Sequence, residues 1–261
     1  MAWYKFVALL SHWSYELNKK IQHFIDALHS GFWLGVMSER SLEYSDELFY
    51  NQKKHYTDDK YNQSGLYHWE KAMIEKHFKD AKKILLIAAG GGRELIALHN
   101  MGFDVTSYEC NTRLIVYGNE LLLRNGIRKK IEYLPGSSVP ELITEYDGII
   151  IGWGAYSLIN GRKKRLTFLD GLLPFLKKEA PLMISFLFTR SRTRHEKTIR
   201  MISNFFRTIM FRERTETGDM LVPDFIHYFT EEEIKKELIQ SKFKVIDYSD
   251  SDYGCLIANI Q

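Results

Sequence analysis

Lys82-Lys83-Ile84-Leu85-Leu86-Ile87-Ala88-Ala89-Gly90-Gly91-Gly92-Arg93-Glu94 decides the reading of this chain. A short apolar run enters three glycines, and a helix-forming segment follows at once, which is the pattern of strand, tight turn and helix. About seventeen residues beyond Gly92, Asp104-Val105-Thr106-Ser107-Tyr108-Glu109 reads as a second strand with a carboxylate at its C-terminal tip. Glycines let backbone approach a ligand closely, and a carboxylate at that tip accepts hydrogen bonds from ribose hydroxyls. Together they predict a nucleotide-binding α/β sheet with an adenosine-type ligand.

Strands fit at 84–88, 104–109, 131–134, 147–152 and 181–188, with helical patterns at 93–101, 112–125 and 162–177 between them. That alternation predicts right-handed βαβ units and a parallel sheet. An extra helix is expected over 191–209 and an irregular loop over 210–223. Thr230 with Glu233 makes a capping box ahead of Ile234 and Leu238. Lys242–Tyr248 and Tyr253–Ile260 then form two strands joined by a turn so short that one of them must run antiparallel. Upstream, apolar positions recur at helical spacing from residue 1 to about 29, where Ser30-Gly31 is expected to break the helix. A second helix is read over roughly 38–55, a tyrosine-rich connector over 55–66 and an amphipathic helix over Trp69–Phe78. The division expected is a helical extension and lid at 1–80 and a ligand-binding domain at 81–261, with 191–225 inserted near the acceptor site.

The 261 residues are 45% hydrophobic and 26% charged, the balance of an ordinary globular protein. A net charge of +3 is too small to predict a nucleic-acid partner. Its distribution is uneven, with 14 Lys and Arg against 4 Asp and Glu between Arg162 and Arg214. Such a field attracts an anionic substrate, or is a solvated helix face. Cys110 and Cys255 have neither a disulfide framework nor zinc spacing. The run Phe6–Leu10 is too short for a signal sequence, and no apolar stretch reaches the ~20 residues of a membrane span, so a cytoplasmic location is expected.

Ala88-Ala89-Gly90-Gly91-Gly92, Tyr108-Glu109, Asp147–Trp153 and the tail from Tyr228-Phe229-Thr230 together resemble the class I S-adenosylmethionine (SAM)-dependent methyltransferase family over roughly residues 56–261. The resemblance implies a Rossmann-like seven-stranded, mostly parallel sheet with a terminal antiparallel hairpin. It also implies SAM as methyl donor, S-adenosylhomocysteine as product and no metal. NAD shares the fold and the acidic tip, but the second half of a dinucleotide site is missing. The resemblance places the cofactor against Ala88, Gly90, Gly92, Glu109, Cys110, Ser138, Trp153 and Tyr61. Two family features are absent. The strand before the glycines carries no acid for the methionyl ammonium, and Pro135-Gly136-Ser137-Ser138 replaces the usual adenine-binding Asp. The first contact must come from backbone carbonyls or the N-terminal segment, and a Ser hydroxyl serves the second.

Methyl transfer from a sulfonium is a direct displacement that needs alignment and exclusion of water. Thr189-Arg190-Ser191-Arg192-Thr193-Arg194 sets three arginines after the fifth strand, and guanidinium forks bind carboxylates or phosphates. Arg190 and Arg194 are candidates to orient an anionic acceptor, and the alternative is a solvated helix start. His227 is a candidate general base or a packed, hydrogen-bonded histidine. Tyr156 is a candidate on the catalytic side, alongside a role in the pocket wall. Tyr56, Arg192 and Tyr228 are acceptor or lid candidates. The activity expected is O-methylation of a carboxylate on a small acid or a peptide C-terminus, of the natural-product tailoring type. Two other readings stay open: an RNA or N-methyltransferase using the basic 190–214 segment, and a non-catalytic SAM-binding module. The apolar N-terminal helices would cover the pocket, bind a peptide or form a homodimer.

Overall fold

The computed structural model describes residues 3–141 and 144–261; Met1 and Ala2, at the start of the expected first helix, lie outside the described residues. In chain order, α1 (Trp3–Val36), α2 (Glu39–Gln52), α3 (Asp59–Asn62) and α4 (His68–His77) precede β1 (Lys83–Ile87). There follow α5 (Arg93–Asn100), β2 (Asp104–Glu109), α6 (Thr112–Arg124), β3 (Ile131–Tyr133), β4 (Gly148–Ile151), α7 (Arg162–Leu172) and β5 (Leu182–Phe186). The chain continues through α8 (Arg194–Ile209), β6 (Asp219–Leu221), β7 (Phe225–His227) and α9 (Glu231–Gln240), and ends in β8 (Phe243–Ser249) and β9 (Gly254–Ile260).

Seven strands form one sheet in the order β3-β2-β1-β4-β5-β9-β8; β9 lies antiparallel to both β5 and β8, and the other pairings are parallel. Apart from Lys83 at the start of β1, the residues of β1, β4 and β5 are buried, and all but Ser185 are apolar or glycine, because helices cover both faces of the sheet. Alternate side chains enter two cores. Leu85, Ile149 and Ile184 pack with α7 and α9 on one side, whereas Ile84, Leu86, Ile150 and Met183 pack with α4, α5 and α6 on the other. The chain winds outward from β1 to β3 and then returns to place β4 on the other side of β1. That reversal opens a crevice beyond the C-terminal ends of β1 and β4, where ligands bind in open α/β sheets.

Two element expectations are corrected. Ser30-Gly31 does not end the first helix: Gly31 serves a close helix crossing and Ser30 ties the helix to β6. A Cβ on Gly31 would lie 2.8 Å from Ile202 Cβ, and one on Gly35 2.7 Å from Phe206 Cβ, so α1 and α8 touch backbone to side chain. Ser30 Oγ also accepts a hydrogen bond from Leu221 N at 2.9 Å. The segment 210–223 is not wholly irregular either: β6 pairs with β7 as a separate antiparallel hairpin.

Candidate active site

The turn after β1 is built for close approach. Ala88 and Gly90 adopt left-handed backbone (φ 62° and 56°), and Gly92 (φ 102°) is the N-cap of α5. A Cβ on Gly90 would meet nothing within 4 Å, so the backbone faces open space there. On Gly91 it would strike Tyr56 O at 2.5 Å and Asn62 Oδ1 at 2.7 Å, so the tyrosine-rich connector sits directly on the loop.

Glu109, buried at the tip of β2, organises the opposite wall. Its Oε2 accepts from Gly90 N at 2.8 Å, and its Oε1 from Cys110 N and Asn111 N, both at 2.9 Å. Oε1 also accepts from Cys110 Sγ at 3.4 Å, so Oε1 is filled, while Oε2, with one donor, keeps a position for a ligand hydroxyl.

These groups line one cavity of about 450 Å³. Ala88, Gly90, Glu109, Cys110, Ser138, Trp153, Tyr56 and Tyr61 all face it, and Gly92 stands behind as the helix cap. The connector is tied down by a buried cluster. Arg93 makes a fork to both oxygens of Glu70 at 2.7 Å, reaches Glu94 at 2.7 Å and Gly65 O at 2.9 Å, and lies 4.1 Å over the Tyr67 ring.

Two features went unread in the sequence. Asn62, 1% exposed, lines the cavity beside the glycine turn. Its Nδ2 donates to Tyr56 O and Asp58 O, which fixes the amide orientation, and among the described residues its Oδ1 has no partner. A buried carbonyl oxygen left this way is costly, and a donor that reached it would offset that cost. The second feature is α2, whose Glu39, Leu42, Glu43, Asp46 and Tyr50 form one wall. The three- and four-residue spacing was a legible signal for one face, though not for what that face covers. Burial is the main force that pushes the Asp46 carboxyl up from 3.8 to about 7; Phe225 N, donating to Oδ1 at 2.9 Å, opposes it, and Asp224 and Glu43 add to it. Burial likewise raises Asp224 to about 6 and drives the Cys110 thiol well upward, with Glu109 adding to the second shift.

The structure places the other expected residues elsewhere. Phe188 pairs with Phe229, and Thr189 N donates to Phe229 O at 2.8 Å, so the arginine run follows the segment before α9 rather than the crevice. Arg190 has a side chain 83% exposed and lies 3.7 Å from Asp250, and Arg194 is an exposed first residue of α8. Arg192 donates to Tyr228 O at 2.8 Å and pairs with Glu233, and neither Arg192 nor Tyr228 lines the cavity. Tyr156 is fully buried behind the wall and donates to Glu237 Oε2 at 2.8 Å, in a network with Arg165. His227, on β7, has Nδ1 2.6 Å from Asp219 Oδ1 and its ring 4.4 Å from Phe229; it is a packed, hydrogen-bonded histidine. Glu216, Asp219 and His227 bring ligand atoms within 4.8 Å of one another, but Glu216 and Asp219 already serve protein donors. Among the described residues, the cations lining the cavity are Arg93 and Lys164, both paired, the latter with Glu39 at 2.8 Å. The anionic acceptor expected from the arginines therefore has no free cation to meet it.

No protein-family profile matches this chain, and no curated protein matches it in sequence. Solved structures match in fold. A SAM-dependent methyltransferase from Methanosarcina mazei aligns with a TM-score of 0.59 at 19% identity, over 75% of this chain and 98% of its own. One from Clostridium acetobutylicum gives 0.54 at 9% identity, over 84% and 96%. A SAM-bound amino pentose methyltransferase from Micromonospora echinaspora, involved in calicheamicin biosynthesis, gives 0.54 at 11% identity, over 84% and 97%. The fold is that of the class I SAM-dependent methyltransferases.

Proposed function

We propose that the chain is a SAM-dependent methyltransferase acting on a small-molecule or peptide acceptor. The observation that carries this reading is the convergence on one cavity of an open Gly90 backbone, the Glu109 carboxylate and the unpartnered Asn62 Oδ1. Glu109 Oε2 would take a ribose hydroxyl, and Ser138 would serve the adenine amine. Asn62 Oδ1 would accept from the methionyl ammonium, replacing the acid missing from β1. Bound SAM supplies a methyl group on a positively charged sulfur, open to displacement. The chain's own part is to hold, orient and dry that site, with Tyr56 and Tyr61 as the lid above Gly91. Carboxylate O-methylation loses the support of the basic segment, which lies away from the cavity.

The test is calorimetric titration of Asn62→Leu against wild type with S-adenosylhomocysteine. Loss of a charge-assisted hydrogen bond should weaken binding by about 10- to 100-fold. Equal affinity would remove Asn62 from the site. Binding of SAM without turnover of any acceptor would favour the non-catalytic module.

A second copy of the chain is the partner we infer for α1. Trp3, Leu10, Leu17 and Phe24, with Val7, Ile21 and Leu28, form a heptad stripe, interrupted at Ser14, that runs into Gly31 and Gly35. Each of the seven apolar side chains is 41–76% exposed. With Phe6, Trp13 and Ile25 the stripe offers on the order of 1,000 Å² of apolar surface, above the roughly 800 Å² per partner of a standard interface.

A further inference from the structure

We infer that the acceptor is an amine, bound as its cation against the acidic face of α2 and deprotonated by Asp46; this rests on the methyltransferase reading above. Glu39, Glu43, Asp46 and Glu47 all line the cavity from α2. Lys164 occupies Glu39 alone, and Arg93 is held by Glu70 and Glu94. Asp46 Oδ1 is fixed by Phe225 N, and among the described residues Oδ2 has no donor. On this side the polar atoms awaiting a ligand are acceptors.

The apolar lining has the same preference. Tyr50 and Tyr56 lie with ring centroids 5.2 Å apart, and Tyr61 and Phe225 also face the cavity. Aromatic faces carry negative potential and attract a cation, most strongly out of water. Among the described residues, an anion in this space would meet like charge with no free cation to offset it.

An ammonium ion has no lone pair for displacement, so a proton must leave first. Asp46 takes it. The nitrogen lone pair then forms the new N–C bond while the C–S bond to the methyl carbon breaks. Its electron pair stays on sulfur and cancels the sulfur's positive charge, and the methylated nitrogen carries the charge instead. Asp46 then returns its proton to solvent. A carboxyl held near 7 by burial suits an acid–base group working near neutrality. The groups that face it are Glu43 and Tyr50 on its own helix, Asp224 beside Phe225, and Cys110 at the end of β2.

The experiment is calorimetry on the full chain. S-adenosylhomocysteine is titrated first, and the loaded protein then receives 2-phenylethylamine or its anionic counterpart 3-phenylpropanoate, at pH 6 and pH 8. The amine should bind, the carboxylate should not, and amine affinity should rise about tenfold from pH 6 to pH 8 as Asp46 ionises. Asp46→Asn keeps an acceptor for Phe225 N and should abolish that rise, with Glu43→Gln giving a smaller loss. Binding of the carboxylate, failure of the amine on the loaded protein, or an unchanged pH response in Asp46→Asn would each overturn the proposal. Failure of S-adenosylhomocysteine to bind would instead strike the methyltransferase reading beneath it.

Discussion

Ala88 follows β1 with φ at 62°, a conformation that costs a residue with a Cβ about 1–2 kcal/mol. Ala88→Gly removes that strain but gains about 0.4–1 kcal/mol of unfolded-chain freedom. Urea denaturation should therefore show it equal to wild type or up to about 1 kcal/mol more stable, and a clear loss would contradict the strain. Asp46 gives a second test. Its folded-state carboxyl lies near 7, above the ordinary 3.8, so the folded protein holds a proton that the unfolded chain releases between about pH 4 and 7. Wild-type stability should lose this contribution as pH rises through that window, and Asp46→Asn should remove that share while leaving the part due to Asp224, so that the gap in Tm widens from pH 5 to pH 8. Parallel Tm curves would sink this. Gly90 and Glu109 were legible in the sequence because a turn after a strand and a carboxylate at a strand tip are local facts. Asp46 and Asn62 were not, because their place depends on how the N-terminal segment folds over the turn.

At the scale of elements, small residues and buried ion pairs set how the helices sit. Gly35 lies against Phe206 Cβ and Ser203 O, so Gly35→Leu must push α8 away. The cost expected is about 1–3 kcal/mol, read as a lowered denaturation midpoint, whereas an unchanged midpoint would mean the crossing is loose. Behind the cavity, Arg165 binds Glu237 and Glu216, and Tyr156 completes the network. Arg165→Met leaves buried Glu237 with, among the described residues, only the Tyr156 hydroxyl and Arg162, 3.7 Å away, and should cost about 3 kcal/mol. The strands and the last helix were legible, since apolar runs and the Thr230–Glu233 box act locally. The path after β5 was not. Thr193 and Glu196 also form a capping box, yet no local pattern shows that the chain first turns to pair with Phe229, which carries the arginines away from the crevice.

For the whole molecule, the sheet, the crevice and α1 determine what the protein can meet. No helix among the described residues is long and apolar enough to cross a membrane. The exposed stripe on α1 should pair two copies, and sedimentation should show a dimer that Leu17→Glu with Phe24→Glu converts to a monomer with cofactor binding retained. An unaltered sedimentation coefficient would locate any self-association elsewhere. The cavity itself is tested most directly by calorimetric titration of SAM, S-adenosylhomocysteine and NAD into wild type and Glu109→Ala. Micromolar binding of the first two, absent for NAD and lost in the variant, is the expected result. Absence of SAM binding, or SAM binding untouched by Glu109→Ala, would contradict a cofactor site at the ends of β1 and β2.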